Sequence, residues 1–274
     1  MPNHLCLPQH ADDDEKRVRT RTLFAQREAY QWVQAPGQPP FCRGVPPGEA
    51  FAEGKALRLK LDMANSIANM ALAAVIRLGG HNDTIASFSR YYILRKLPEV
   101  ATRWKDDREF ARQRLDGINP MLIEQAVEIP EHFPVKEDMF SGLLPPGSSL
   151  QALKAQGRLF IMDYKAIAGL PVVMGRFQTA PIALFWVDDQ GALKPLAIQL
   201  GQSPADAPVI FTPGDDEWLW LMARTHLQCA DGTDQENITH LARTHLFMET
   251  FWVAACRTLP AQHPVYELLH PHFT

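Results

Sequence analysis

Apolar positions fall into helical stripes towards both ends of this chain and into short β-type runs in its middle. From Asp13 to Val33 an acidic head precedes Leu23, Phe24, Ala29, Tyr30 and Val33, which predicts a first helix. Lys55 to Leu78 repeats the helical spacing and stops at Gly79-Gly80, as a helix with a glycine stop should. Asp83 to Leu97 predicts another amphipathic helix, ended by Pro98. Two irregular connectors are expected: Ala35 to Gly48, rich in proline and glycine, and Glu128 to Ser149, which carries Pro130, Pro134, Pro145 and Pro146.

The period then changes. Arg158 to Tyr164 reads as a strand, and Ile182 to Val187 with Leu193 to Leu200, joined through Asp188-Asp189-Gln190-Gly191, reads as a hairpin. Pro195 inside the second run cannot donate to a ladder, so that strand is expected at an edge or at a bulge. Helix resumes at Asp215 and leads into Asp234 to Leu259. The expected fold is mainly α with one small antiparallel β-hairpin region, about residues 158–202.

The stretch Asp234 to Leu259 is apolar around every face, from Leu241 and Leu246 through Phe251 to Val253, and this predicts a buried helix. Thr233-x-x-Glu236 resembles a capping box at its start. His240 and His245 lie five residues apart within it. In a regular α-helix five residues turn by ~500°, which leaves the two imidazoles ~140° apart and unable to share a ligand. A widened, i→i+5 helix brings them to one side. If the pair binds a metal, the helix between them must therefore be wide. The spacing alone is satisfied more readily by core or interhelical hydrogen-bonding histidines, since the zinc motif His-Glu-x-x-His is absent.

Composition narrows the classes. With 274 residues, 46% hydrophobic content and a net charge of −4, the chain reads as globular and carries no basic stripe for nucleic acid. No window of ~18 uninterrupted apolar residues suggests a membrane span. The N-terminus has no apolar signal-peptide core, so the expectation is a cytoplasmic or an unassigned location. Cys6, Cys42, Cys229 and Cys256 show no C-x-x-C pairing, which predicts reduced, buried thiols. No G-x-G-x-x-G and no P-loop is present.

Several runs, in order, resemble the lipoxygenases, non-haem iron dioxygenases of polyunsaturated fatty acids. They are WKDDREFARQRLDGINP from Trp104, LFIMDY from Leu159, APIALFWVDDQGALKPLAIQLGQ from Ala180, EWLWLMAR from Glu217, THLARTHLFMETF from Thr239, R-x-L from Arg257 and HPVYELLHPHF from His263. In that family the two histidines of H-x-x-x-T-H are iron ligands, which here implies His240 and His245. The departures are Ala111 for a glycine, Arg224 for the lysine after W-x-x-A, Gln235 for a histidine and Thr250 for a proline.

The resemblance implies a partial helical catalytic domain over 35–274, preceded by a loose terminus and helix over 1–34. It implies a polyunsaturated fatty acid and dioxygen as substrates, a hydroperoxide as product, and non-haem iron as cofactor. The family's remaining iron ligands lie beyond its P-H-F run, so iron is expected to be incompletely ligated here. The chain by itself is then expected to be inactive and to want a C-terminal partner half. Arg224 would attract the fatty-acid carboxylate or form a structural ion pair. Glu249 could complete a two-His-one-carboxylate set, but the family's matching glutamate is not a ligand. His226, His263, His270 and His272 read as packing or capping residues. The alternative to an enzyme is an inactive lipoxygenase fragment that binds lipid or protein. A zinc hydrolase using His240, His245 and Glu249 is the third reading.

Overall fold

The computed structural model describes residues 5–44, 46, 49, 53–80, 85–172 and 177–272. Two compact units result, one of Pro98–Leu241 and a discontinuous one of Met1–Leu97 with Ala242–Thr274. The first helix finds its partners more than 200 residues downstream, which no local pattern can show.

In the continuous unit, strands β3 (Glu124–Gln125), β4 (Leu159–Asp163), β5 (Ile182–Val187), β6 (Leu193–Gln199) and β7 (Ile210–Phe211) pair in that order, every neighbour antiparallel. The hairpin of β5 and β6 is thus the centre of a five-stranded sheet. Alternate side chains serve opposite faces. Met162, Ala183, Phe185 and Ile198 pack with Phe110, Trp220, Ala223 and Leu227 on one side. Leu159, Ile161, Leu184, Trp186 and Leu196 pack with Phe133, Phe140 and, from helix α4 (Leu150–Ala155), Leu150 and Leu153 on the other. Both faces are covered, which explains why Ile182 to Val187 is apolar without alternation. The proline-rich connector supplies Phe133 and Phe140 to the second layer, each only 1–2% exposed. Pro195 sits opposite Phe185, where the register shifts at Leu184/Phe185, so it occupies a bulge.

Helix α3 (Asp107–Asp116) and helix α5 (Glu217–Asp234) lie on the first face. Asp106 and Asp216 accept hydrogen bonds from the first free amides of α3 and α5 respectively. Helix α3 ends at Gly117, where a Cβ would collide with the Gln113 carbonyl oxygen, so only glycine permits the close turn that delivers Asn119. Trp220, Ala223, Arg224, Leu227, Ala230, Asp231 and Asp234 form the buried stripe of α5 at helical spacing.

In the discontinuous unit, helix α1 (Asp13–Ala29) opens with the full capping box of Asp12 and Glu15, so the acidic head is a solvated helix start. It ends before the expected Val33. Trp32–Val33 is instead a short strand, β1, paired antiparallel with β2 (Phe41–Cys42) across Gly37, whose φ of 76° suits glycine. Helix α6 (Phe247–Thr258) and helix α7 (Pro264–Leu269) complete a cluster of Tyr30, Trp252, Val253, Cys256 and Tyr266. Burial and the adjoining Glu49 carboxylate hold the Tyr30 phenol well above its usual range.

Helix α2 spans Glu53–Leu78. Leu57, Leu61, Ile67, Met70 and Val75 are each at least 59% exposed. Gly54–Leu78 is long and apolar enough to cross a membrane by length and composition, with a mean hydropathy of 1.2 over its 18-residue window. Interspersed charges had hidden it from a search for uninterrupted apolar runs. The helix expected over Asp83 to Leu97 is absent: Ile85–Tyr91 is a 3-10 helix, and residues 81–84 lie outside the described residues. Asn69 of α2 replaces helical bonding there, accepting from the amides of Ile93 and Leu94 and donating to the Tyr91 carbonyl.

Candidate metal centre

Helix α5 does not stop at Asp234. It runs on into a π-helix, Gln235–Leu246, and then α6. The Thr233 capping box is consequently not formed. Thr233 is inside the continuous helix, where its hydroxyl lies 3.0 Å from Gln178 Oε1 and 2.9 Å from the Cys229 carbonyl oxygen. The wide segment contains both His240 and His245. With i→i+5 bonding, residues five apart come towards one side of the helix, so the segment is wide where the two histidines lie.

The expectation of a buried helix holds for Trp252, Val253 and Cys256 of α6 but not for the segment before them. No residue of the π-helix is buried, and beyond it Phe247 and Phe251 are 51% and 54% exposed. The apolar periodicity is real, but this face is only partly covered, with Ile238 packed on the core while Leu241 and Leu246 are 45% and 43% exposed. The His240 side chain is 46% exposed, and its Nδ1 lies 3.6 Å from Glu236 Oε2, beyond hydrogen-bond distance. Imidazoles suit iron, zinc, copper and nickel alike. Among the described residues, no group of three or more His, Cys, Asp or Glu side chains is placed to hold a metal ion. The donors expected from the sequence are therefore two imidazoles on one wide helix.

The other candidates have structural partners. Glu249 Oε1 accepts from the Cys42 amide at 2.9 Å, and Thr250 donates to the Pro40 carbonyl at 2.6 Å, so both tie down the first connector. Arg224 is 5% exposed; its Nη1 lies 2.9 Å from Asp107 Oδ1 and 2.6 Å from the Lys105 carbonyl oxygen. Its guanidinium also lies over the rings of Phe110 and Trp220. Burial draws the Arg224 pKa down, and Asp107 opposes that. A cavity of about 130 Å³ adjoins it, lined by Trp104, Phe110, Gln113 and Leu221 among others. That volume is below the roughly 300–1,000 Å³ of ordinary ligand pockets.

His226 meets Phe177 edge-on and has its pKa lowered by burial. His263 caps α7, accepting at Nδ1 from the Val265 amide, and His270 packs on Trp252 and Tyr266. His272 ends the following 3-10 turn. All four thiols are unpaired by disulfides, with Cys6 and Cys256 buried but Cys229 exposed.

Sequence reasoning missed a buried polar network beside the histidine segment. Tyr164 donates to Asp231 Oδ1 at 2.8 Å, and Arg114 Nη1 lies 2.9 Å from Asp231 Oδ2 in a charge contact off the hydrogen-bond direction. Arg114 also donates to Gln228. Three residues on, Asp234 Oδ1 accepts from Asn119 Nδ2 at 3.1 Å and lies 3.3 Å from the Thr239 hydroxyl, which is 3.2 Å from Asn119 Oδ1. The signal available in the sequence was two aspartates on the inner stripe of α5, where a solvated charge does not belong.

Residues 48–274 match the family model of lipoxygenases. Polyunsaturated fatty acid lipoxygenase ALOX15B of Homo sapiens is 34% identical over 272 residues, 94% of this chain and 40% of that protein. Hydroperoxide isomerase ALOXE3 of Rattus norvegicus is 43% identical over 177 residues, 63% of this chain and 25% of its own length. Among solved structures, a calcium-dependent 11R-lipoxygenase superposes with a TM-score of 0.86 at 33% identity, covering 98% of this chain and 42% of that one. The chain thus spans about two fifths of the human relative and of that solved structure. Over that span it belongs to the lipoxygenase family.

Proposed function

We propose that this chain contributes two iron ligands, His240 and His245, and their helical scaffold to a non-haem iron dioxygenase of polyunsaturated fatty acids. The observation that carries the reading is the π-helix Gln235–Leu246, in which residues five apart come to one side. The iron would supply the one-electron chemistry by which a fatty acid reacts with dioxygen to give a hydroperoxide. His240 and His245 would hold it as neutral donors, with Glu236 near His240 Nδ1 biasing which nitrogen faces the metal. The remaining donors come from outside the described residues. Helix α5, fixed on the sheet, sets where the histidine segment begins.

Arg224 enters the reading as an anchor between α5 and α3 through Asp107; attracting a carboxylate would require it to release that partner. The likeness to hydroperoxide isomerase ALOXE3 supports a second outcome, isomerisation of a hydroperoxide at the same iron. An inactive module that binds lipid or protein is the third, supported by the exposed apolar residues of α2 and α6.

The test is iron content, dioxygen uptake and product analysis with linoleate, arachidonate and their hydroperoxides, on the purified chain and on the longest product its gene encodes. About one iron per molecule, lost in His240→Ala and His245→Ala, together with oxygen uptake, supports the dioxygenase. Turnover of hydroperoxide without oxygen uptake supports the isomerase. Iron content unaffected by either substitution overturns both.

A further inference from the structure

We infer that Asp234, Asn119 and Thr239 form a latch that keeps the histidine helix wide, which makes them positioning residues for His240. The inference rests on the proposed sharing of one metal by His240 and His245.

The argument begins with spacing. Thr239 follows Asp234 by five residues, and the Thr239 Oγ1 is 3.3 Å from Asp234 Oδ1. In a regular α-helix side chains five apart diverge by ~140°, too far for a threonine hydroxyl to reach an aspartate carboxylate. The contact therefore belongs to the π register, the same i,i+5 spacing as the pair His240 and His245, which follows six residues later in the same π-helix. Asp234 is the last residue of α5 and Gln235 the first of the π-helix, so the latch spans the point where the register changes.

The contact is also anchored from outside the helix. Asn119, 1% exposed, donates through Nδ2 to Asp234 Oδ1 at 3.1 Å, while its Oδ1 lies 3.2 Å from the Thr239 hydroxyl. Asp234 is 2% exposed, so its carboxylate is costly to bury without such donors. Asn119 follows Gly117 at the end of α3, whose Arg114 meets Asp231 one turn before Asp234. Two successive inner-face carboxylates of α5 are thus held by the α3 segment. Reverting the turn to α-helical bonding would break the Asp234–Thr239 contact. Wide turns are ordinarily less favourable than α-helical ones; here a part-buried side-chain contact selects one.

The test uses Cu(II) added alone to the purified chain. Its binding to the histidine pair is read as the affinity and the electron paramagnetic resonance signal lost in His240→Ala and in His245→Ala. Thr239→Val keeps the side-chain shape and removes the hydroxyl, Thr239→Ser restores it, and Asn119→Ala is a second, independent cut. Amide hydrogen exchange over residues 235–246 is followed in each variant.

The expected result is Cu(II) held by both imidazoles, an affinity about 10–100-fold lower in Thr239→Val and Asn119→Ala, and recovery in Thr239→Ser. Two-imidazole binding that persists unchanged in both cut variants overturns the latch and leaves the metal reading standing. If neither histidine substitution alters Cu(II) binding, the metal reading fails. The latch is then decided by exchange: faster in Thr239→Val but not in Thr239→Ser supports it, and equal rates in all variants overturn it.

Discussion

The hydroxyl of Tyr164, immediately after β4, donates to the Asp231 carboxylate on α5 at 2.8 Å, with both residues no more than 1% exposed. Arg114 of α3 completes the triad at 2.9 Å from the other carboxylate oxygen. Sheet and two helices thus meet at one buried charge. Burial and the adjacent Asp231 charge hold the Tyr164 phenol well above its ordinary range, so it stays a donor.

Arg114→Met, which strands the Asp231 charge, is expected to cost about 3–5 kcal/mol. Tyr164→Phe removes one donor and costs about 1–3 kcal/mol. Urea denaturation reads both, and a midpoint unchanged in Arg114→Met would show that the charge is compensated elsewhere.

Stability should fall in acid through Glu109. Hydrogen bonds from Arg112, at 2.6 and 3.0 Å, hold this carboxyl at about 2. Because the folded pKa is depressed, the contribution is complete above the unfolded value of about 4.3 and is lost as pH falls towards 2. Glu109→Gln should flatten that part of the pH–stability curve and leave the neutral region little changed in slope.

Gln26 of α1, 9% exposed, donates to the carbonyl oxygens of Cys256 and Leu259 at 3.0 and 3.1 Å and accepts from the Ala261 amide at 3.1 Å. It satisfies backbone groups left over at the end of α6. Gln26→Ala is expected to cost about 1–3 kcal/mol and to speed amide exchange at Ala261. Equal exchange rates at Ala261 would count against the tie.

Arg224 separates two roles by measurement. If it anchors α5 to Asp107, Arg224→Lys destabilises by about 1–2 kcal/mol, because lysine cannot reproduce the planar contact with Phe110 and Trp220. A change in KM for the fatty acid with no change in stability would assign it to the substrate instead.

Much of the architecture is legible in the chain. Strand β5 and the turn at Gly191, whose φ is 80°, follow from β-rich runs around a turn sequence. The acidic head of α1 is visible because a capping box is local. That a ligand shared by His240 and His245 would need a wide helix follows from counting residues, and Gln235–Leu246 is π-helical.

Other features were decided only by tertiary structure. Periodicity shows which side chains share a face but not what covers it, so an apolar stretch read as buried lies with Phe247 and Phe251 half exposed. The partners of Gln26, Arg224 and Asp234 stand 230, 117 and 115 residues away in sequence. Such contacts are selected by packing free energy over the whole fold, which the local spacing of residues does not encode.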